Sequence, residues 1–205
     1  GAQIAVQPTF SREFYHGDSL IRASNAFHKV SSVGDMSNRN WLKKTLSDRW
    51  HTELIPATQE QISELERNAE FYSGVLQKQY LPCYPKLEIS DKREGLDLQP
   101  RKFYMLSLGA NQGYREWPVD YYAEIAKLIY KKTGWRGLIC GTEQERYLGE
   151  QLQNICDAPI KNYTGRTTLS ELAWLLKKSQ ILISNETGTA HISSAVGTST
   201  VCILG

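Results

Sequence analysis

The chain has 205 residues, enough for one large or two small domains, and its 40% apolar and 22% charged residues are ordinary for a folded globular protein. Its 24 basic and 22 acidic side chains leave a formal charge of +2, too small to argue for nucleic acid, and no block of like charge marks a basic tail. No apolar run approaches the ~18 residues of a transmembrane segment, and the first residues lack a secretory leader pattern.

Residues 3–7 read as a strand, 29–33 as a second and 51–55 as a weaker third, with a short helix between 18 and 27. Residues 35–50 are polar, contain tryptophan and carry no assignable period. A helix is predicted over 59–76, with Ile62, Leu65, Ala69, Tyr72 and Leu76 as its apolar stripe and Thr58–Gln61 as a capping box. Residues 77–101 hold three prolines and the charged run Asp91-Lys92-Arg93-Glu94, which reads as a linker with one short strand at 86–89. Domains are therefore expected at 1–76 and 102–205.

From Lys102 onward strands and helices alternate. Strands are expected at 103–108, 135–140, from 160, at 180–184 and at 198–204. Helices are expected at 119–132, 143–156, 169–178 and 188–196; the first should bury Tyr122, Ile125, Ala126, Ile129 and Tyr130. Such alternation predicts an α/β fold with a parallel sheet, whose ligands sit at the carboxyl ends of the strands. Cys83, Cys140, Cys156 and Cys202 have no metal-ligand spacing. Cys140 and Cys202 lie in apolar strand-like runs where a reduced cysteine acts as a small hydrophobe, so a reducing, cytoplasmic setting is expected. Both ends look interrupted: a strand opens the chain almost at once, and a buried-type strand, Val201-Cys202-Ile203-Leu204, closes it. The sequence reads as a fragment.

Three turns fall at strand ends. The first, Gly109-Ala110-Asn111-Gln112-Gly113-Tyr114-Arg115, offers a flexible backbone and an arginine able to donate twice to a phosphate. Arg115 could equally pair with Glu116 or Asp120. In the second turn, Glu145 either caps a helix with Thr142 or accepts ribose hydroxyls. The third runs from Ser184 to His191. There Glu186 could accept from a sugar or ribose, while Thr187 and the amides of Gly188 and Thr189 could donate to a diphosphate at a helix N-terminus. Thr187 could also be a plain N-cap, and His191 could face the ligand or simply pack.

Order and spacing of Leu108-Gly109-Ala110, Arg115-Glu116-Trp117-Pro118, Gly141-Thr142-Glu143-Gln144-Glu145, Gly165-Arg166-Thr167-Thr168-Leu169, Asn185 to His191, and Gly197-Thr198 resemble glycosyltransferase family 9, the lipopolysaccharide heptosyltransferases. Residues 1–76 resemble the end of the family's acceptor-side domain more loosely, through Pro8-Thr9-Phe10-Ser11-Arg12. The resemblance implies two facing Rossmann-like domains of the GT-B plan, both incomplete here, with residues 102–205 binding the donor. It implies a nucleotide-diphosphate sugar donor, held by Gly109, Ala110, Asn111, Arg115, Glu145, Glu186, Thr187, Gly188 and His191. The family commonly has lysine where this chain has Arg115, and often aspartate where it has Glu186.

The implied reaction is inverting and metal-independent transfer of a heptose-like sugar to a lipopolysaccharide or related glycan acceptor, with no cofactor. The resemblance puts the catalytic base before Gly1. It implies a cytoplasmic protein without a transmembrane segment and leaves a peripheral membrane contact open. A nucleotide-sugar epimerase and a non-catalytic nucleotide-binding module are the alternatives. A dinucleotide-dependent oxidoreductase is disfavoured, since no Gly-x-Gly-x-x-Gly follows a strand.

Overall fold

A computed structural model describes residues 2–89, 102–110 and 113–204. The chain divides into two compact units, Gly1–Tyr84 and Pro85–Gly205. The break lies inside the proline-containing stretch 77–101; Asn111 and residues 90–101 fall outside the described residues.

The first unit carries a parallel sheet of three strands in the order β1 (Ile4–Gln7), β2 (His28–Ser32), β3 (Glu53–Ile55). A π-helical turn (Phe14–Asp18) and α1 (Ser19–Ala23) link β1 to β2, and α2 (Trp41–Asp48) links β2 to β3. Helix α3 (Glu64–Leu76) follows. The apolar core is small: Val30, Ile55 and Phe71, with Val75 against them. Beside it lies a buried ionic cluster. The Arg12 Nε stands 3.3 Å from Asp18 Oδ1, Arg39 Nη1 donates to Asp18 Oδ2 at 3.0 Å, and Arg12 Nη2 donates to Asp48 Oδ1. Arg12, Asp18 and the Arg39 side chain are shut off from solvent. The His51 ring bonds the Ser47 carbonyl through Nδ1 and puts Nε2 3.9 Å from Asp18. Gly34 sits here in the left-handed region (φ 65°); a Cβ would come within 2.3 Å of the Phe10 carbonyl oxygen.

Helix α3 differs from expectation twice. It starts at Glu64, not residue 59, because the capping box is Ser63 with Glu66. Arg67 donates back to the Thr58 and Glu60 carbonyls, and Glu70 accepts from the Thr58 N–H, so residues 58–60 lie along the helix instead of extending it. The buried face is Arg67 and Phe71, with Gly74 against Ile55. The expected stripe of Leu65, Ala69, Tyr72 and Leu76 instead lines an open depression with Tyr80–Cys83.

The second unit is a five-stranded, wholly parallel sheet. Its members in chain order are β4 (Phe103–Ser107), α4 (Val119–Thr133), β5 (Arg136–Cys140), α5 (Arg146–Ile155), β6 (Ile160–Asn162), α6 (Leu169–Lys178), β7 (Ile181–Asn185), α7 (Gly188–Ala195) and β8 (Ser199–Ile203). The strand order is β6-β5-β4-β7-β8. Strand β4 is central and wholly buried. Tyr104 and Leu106 pack on one face with Tyr122 and Ala126 of α4 and Leu148 and Leu152 of α5. Phe103 and Met105 pack on the other with Leu172, Leu175 and Leu176 of α6. Helices thus cover both faces, as parallel sheets require.

Four expectations need correction. The 143–156 helix is a 3-10 turn at Glu143–Glu145 followed by α5. Residues 86–89 form no strand; the Leu87 N–H donates to the Ala195 carbonyl. Tyr130 is exposed, because the ring lies at the margin of the face that buries Tyr122 and Ala126. Cys140 is buried but Cys202 is not, since β8 has a neighbour only in β7 among the described residues.

Candidate functional site

The chain runs β4, β5, β6 to one side, then returns to place β7 on the other side of β4. That reversal opens a crevice between the carboxyl ends of β4 and β7, the place where open parallel sheets take ligands. The first and third turns meet there. Arg115, in a 3-10 turn (Gly113–Arg115), puts Nη1 3.6 Å from Glu186 Oε2, with 43% and 55% of the two side chains exposed. Arg115 therefore pairs across the crevice, not with Glu116 or Asp120.

Asn185 fixes the crevice. It is fully buried at the end of β7; its Nδ2 donates to the Leu108 and Gly109 carbonyls at 2.6 and 3.3 Å, and its Oδ1 accepts from the Trp117 N–H at 3.1 Å. One side chain thus ties both ends of the first turn to the third. Sequence reasoning did not select Asn185. The available signal was a polar amide continuing the apolar run Ile181-Leu182-Ile183, since a buried amide must find partners.

The Glu145 carboxylate lies between its own turn and the first. Its Oε2 accepts from the N–H and Oγ1 of Thr142, the capping box expected from sequence. Its Oε1 lies against the first turn: a Cβ on Gly109 would come 1.8 Å from that oxygen. Gly109 is what lets the carboxylate reach the end of β4. Ala110 is half-buried beside it.

The α7 end is open. Thr187 occupies the N-cap position, but its side chain makes no capping bond; its Oγ1 lies 3.2 Å from Ser184 Oγ. Among the described residues, nothing outside its own turn lies within 4 Å of the position a Cβ on Gly188 would take. Thr189 is held to β4 through Ser107 Oγ at 3.4 Å. A helix N-terminus without a side-chain cap, facing open space and flanked by an arginine, presents donors and positive potential to an anion. His191, one turn on, is exposed and so does not pack into the core. Around the site, burial pushes the Tyr122 phenol upward and the Cys140 thiol up to about 12, so both stay neutral. Partial burial and the Glu186 carboxylate raise the Cys202 thiol.

The model of glycosyltransferase family 9 (heptosyltransferase) matches residues 19–205. The chain belongs to this family. A lipopolysaccharide core heptosyltransferase, OpsX, of Haemophilus influenzae is 27% identical over 100 residues, covering 48% of this chain and 28% of that protein. Lipopolysaccharide heptosyltransferase 2 of Salmonella typhimurium is 23% identical over 133 residues, 60% of this chain and 38% of that one. The chain thus spans well under half of these family members. Among solved structures, Escherichia coli heptosyltransferase WaaC with ADP superposes with a TM-score of 0.67 at 15% identity, covering 98% of this chain and 61% of that one. Escherichia coli ADP-heptose heptosyltransferase II gives 0.66 at 14%, covering 97% and 61%. At these identities the likeness shows a shared α/β fold with parallel sheets.

Proposed function

We propose that the crevice between β4 and β7 holds the diphosphate of a nucleotide sugar, and that the protein transfers a heptose-like sugar from that donor to a lipopolysaccharide or related glycan. The observation that carries this is the convergence of Arg115, Glu186 and the open α7 N-terminus at one sheet edge. In this reading Arg115 and the amides of Gly188 and Thr189 neutralise the diphosphate and the charge that grows on it as the sugar leaves. The Oε1 of Glu145 accepts ribose hydroxyls, Ala110 lines the same edge, and Glu186, Thr187 and His191 surround the sugar end. Residues 102–205 serve as the donor domain, 77–101 as a linker and 1–76 as the end of the acceptor-side domain, in a plan of two facing Rossmann-like domains. Transfer proceeds with inversion and without metal, at the cytoplasmic side. Removal of the acceptor proton is assigned to no residue of this chain.

The test is thermal protection. ADP, UDP, GDP and CDP are each titrated to millimolar concentration against the purified chain. A dose-dependent rise in the melting temperature with ADP is expected, since relatives of this fold are solved with ADP. No shift with any of the four rejects the reading.

A further inference from the structure

Helix α2 is turned inside out for a helix that covers a sheet. Its polar side faces inward: Lys44 donates to the Val33 carbonyl and to Asp48, both at 2.9 Å, Ser47 accepts from Arg39 at 3.1 Å, and Asp48 accepts from Arg12. The buried ionic cluster claims this polar side and fixes the roll of the helix. The apolar side is therefore left outward, with Trp41 66% exposed, Leu42 58% and Leu46 48%. These three, with Lys43, Thr45 and Arg49, line an open apolar hollow of about 350 Å³.

The two charged residues that line the hollow, Lys43 and Arg49, are both basic. Asp48 is the helix's single carboxylate, and Lys44 and Arg12 already occupy it. The outward charges are Lys43, whose Nζ lies 4.6 Å from the Tyr15 ring centroid, and Arg49 at the helix end. Next to them Arg22 stacks on Trp50 at 4.7 Å. An apolar strip bounded by amphipathic aromatics and by long-stemmed cations suits a boundary between hydrocarbon and phosphate. No helix among the described residues is long and apolar enough to cross a membrane, and α2, with eight residues, could only lie along one.

We propose that α2 docks on the surface of an anionic lipid bilayer, with Trp41, Leu42 and Leu46 entering the acyl boundary and Lys43 and Arg49 meeting headgroup phosphates. This does not rest on the nucleotide reading, and vesicle binding reports nothing about the crevice. Two arms test it on the whole chain. In sedimentation with vesicles, the chain should partition onto phosphatidylglycerol–phosphatidylcholine mixtures and not onto phosphatidylcholine alone, and less at high salt. Leu42→Ser with Leu46→Ser should lower partitioning by at least about ten-fold, because both side chains exchange water for hydrocarbon. Arg49→Glu, which disturbs no packing, should also lower it. In the second arm, lipids with brominated acyl chains should quench the parent chain's fluorescence. Trp41→Phe should still bind but lose that quenching. The proposal is overturned by absent partitioning, by equal partitioning of the serine and Arg49→Glu variants, or by undiminished quenching in Trp41→Phe. It is also overturned if the outward face instead drives a concentration-dependent dimer that the serine substitutions abolish.

Discussion

Arg115 and Glu186 are partners before any ligand arrives, so a diphosphate must take the guanidinium from a carboxylate. The carboxylate is half-exposed, so its hold on Arg115 is weak, whereas a phosphate can accept two parallel bonds. Arg115→Ala should therefore weaken ADP binding by about 1.5–3 kcal/mol, the range for hydrogen bonds to charged groups. Titration calorimetry reads this directly, and an unchanged affinity would mean the phosphate sits elsewhere. Gly109 makes a separate prediction. An added methyl must displace the Glu145 carboxylate, which is the far end of a flexible side chain and can move. Gly109→Ala should therefore lower the melting temperature only slightly, through the loosened Thr142 cap, and weaken ADP by about ten-fold, the loss of roughly one charged hydrogen bond. Residue types at the three turns were legible because each follows an apolar strand run. Their partners were not: spacing cannot show that Arg115 pairs with Glu186 rather than Glu116, or that one Glu145 oxygen caps while the other reaches Gly109.

At the scale of elements, the first unit depends on charge where the second depends on apolar packing. That is why its helices were hard to read. Periodicity assumes that apolar positions point inward; in α2 the inward positions are Lys44, Ser47 and Asp48, and in α3 Arg67 shares the buried face with Phe71. Strands β4, β5 and β7 obeyed the assumption and were read nearly to the residue. The charged core also sets a pH response. Burial, then the nearby Arg12 charge, holds His51 below its ordinary 6.5, so the unfolded chain takes up a proton there that the folded chain refuses. Stability should fall as pH drops below about 6.5. Burial pulls Asp48 up, but the Lys44 hydrogen bond and the Arg12 charge outweigh it and hold it below 3.8. Its contribution is present above that value and is lost as pH falls through the lower folded one. Urea midpoints should drop once between pH 7.5 and 5.5 and again below about 4, and His51→Gln should flatten only the first drop. A first drop that survives in His51→Gln would place the titration elsewhere.

The whole molecule therefore consists of two units stabilised by different physics. The second has a central strand buried on both faces and two extensive apolar clusters. The first has a three-residue apolar cluster and an ionic core in which Asp18 faces two arginines. Removing that carboxylate leaves two buried cations without their shared partner, a loss worth about 3–5 kcal/mol. A unit with so small an apolar core has little stability to spare. Two unfolding transitions are expected in urea, and each should answer to its own perturbation. Asp18→Ala should move the lower transition to the point of loss and leave the upper one in place. ADP at about 100 times its dissociation constant should raise the upper transition by roughly 2.7 kcal/mol and leave the lower one alone. Intrinsic fluorescence can follow both, because Trp41 and Trp50 lie in the first unit and Trp117, Trp135 and Trp174 in the second. A single transition that both Asp18→Ala and ADP shift would show that the two units fold as one.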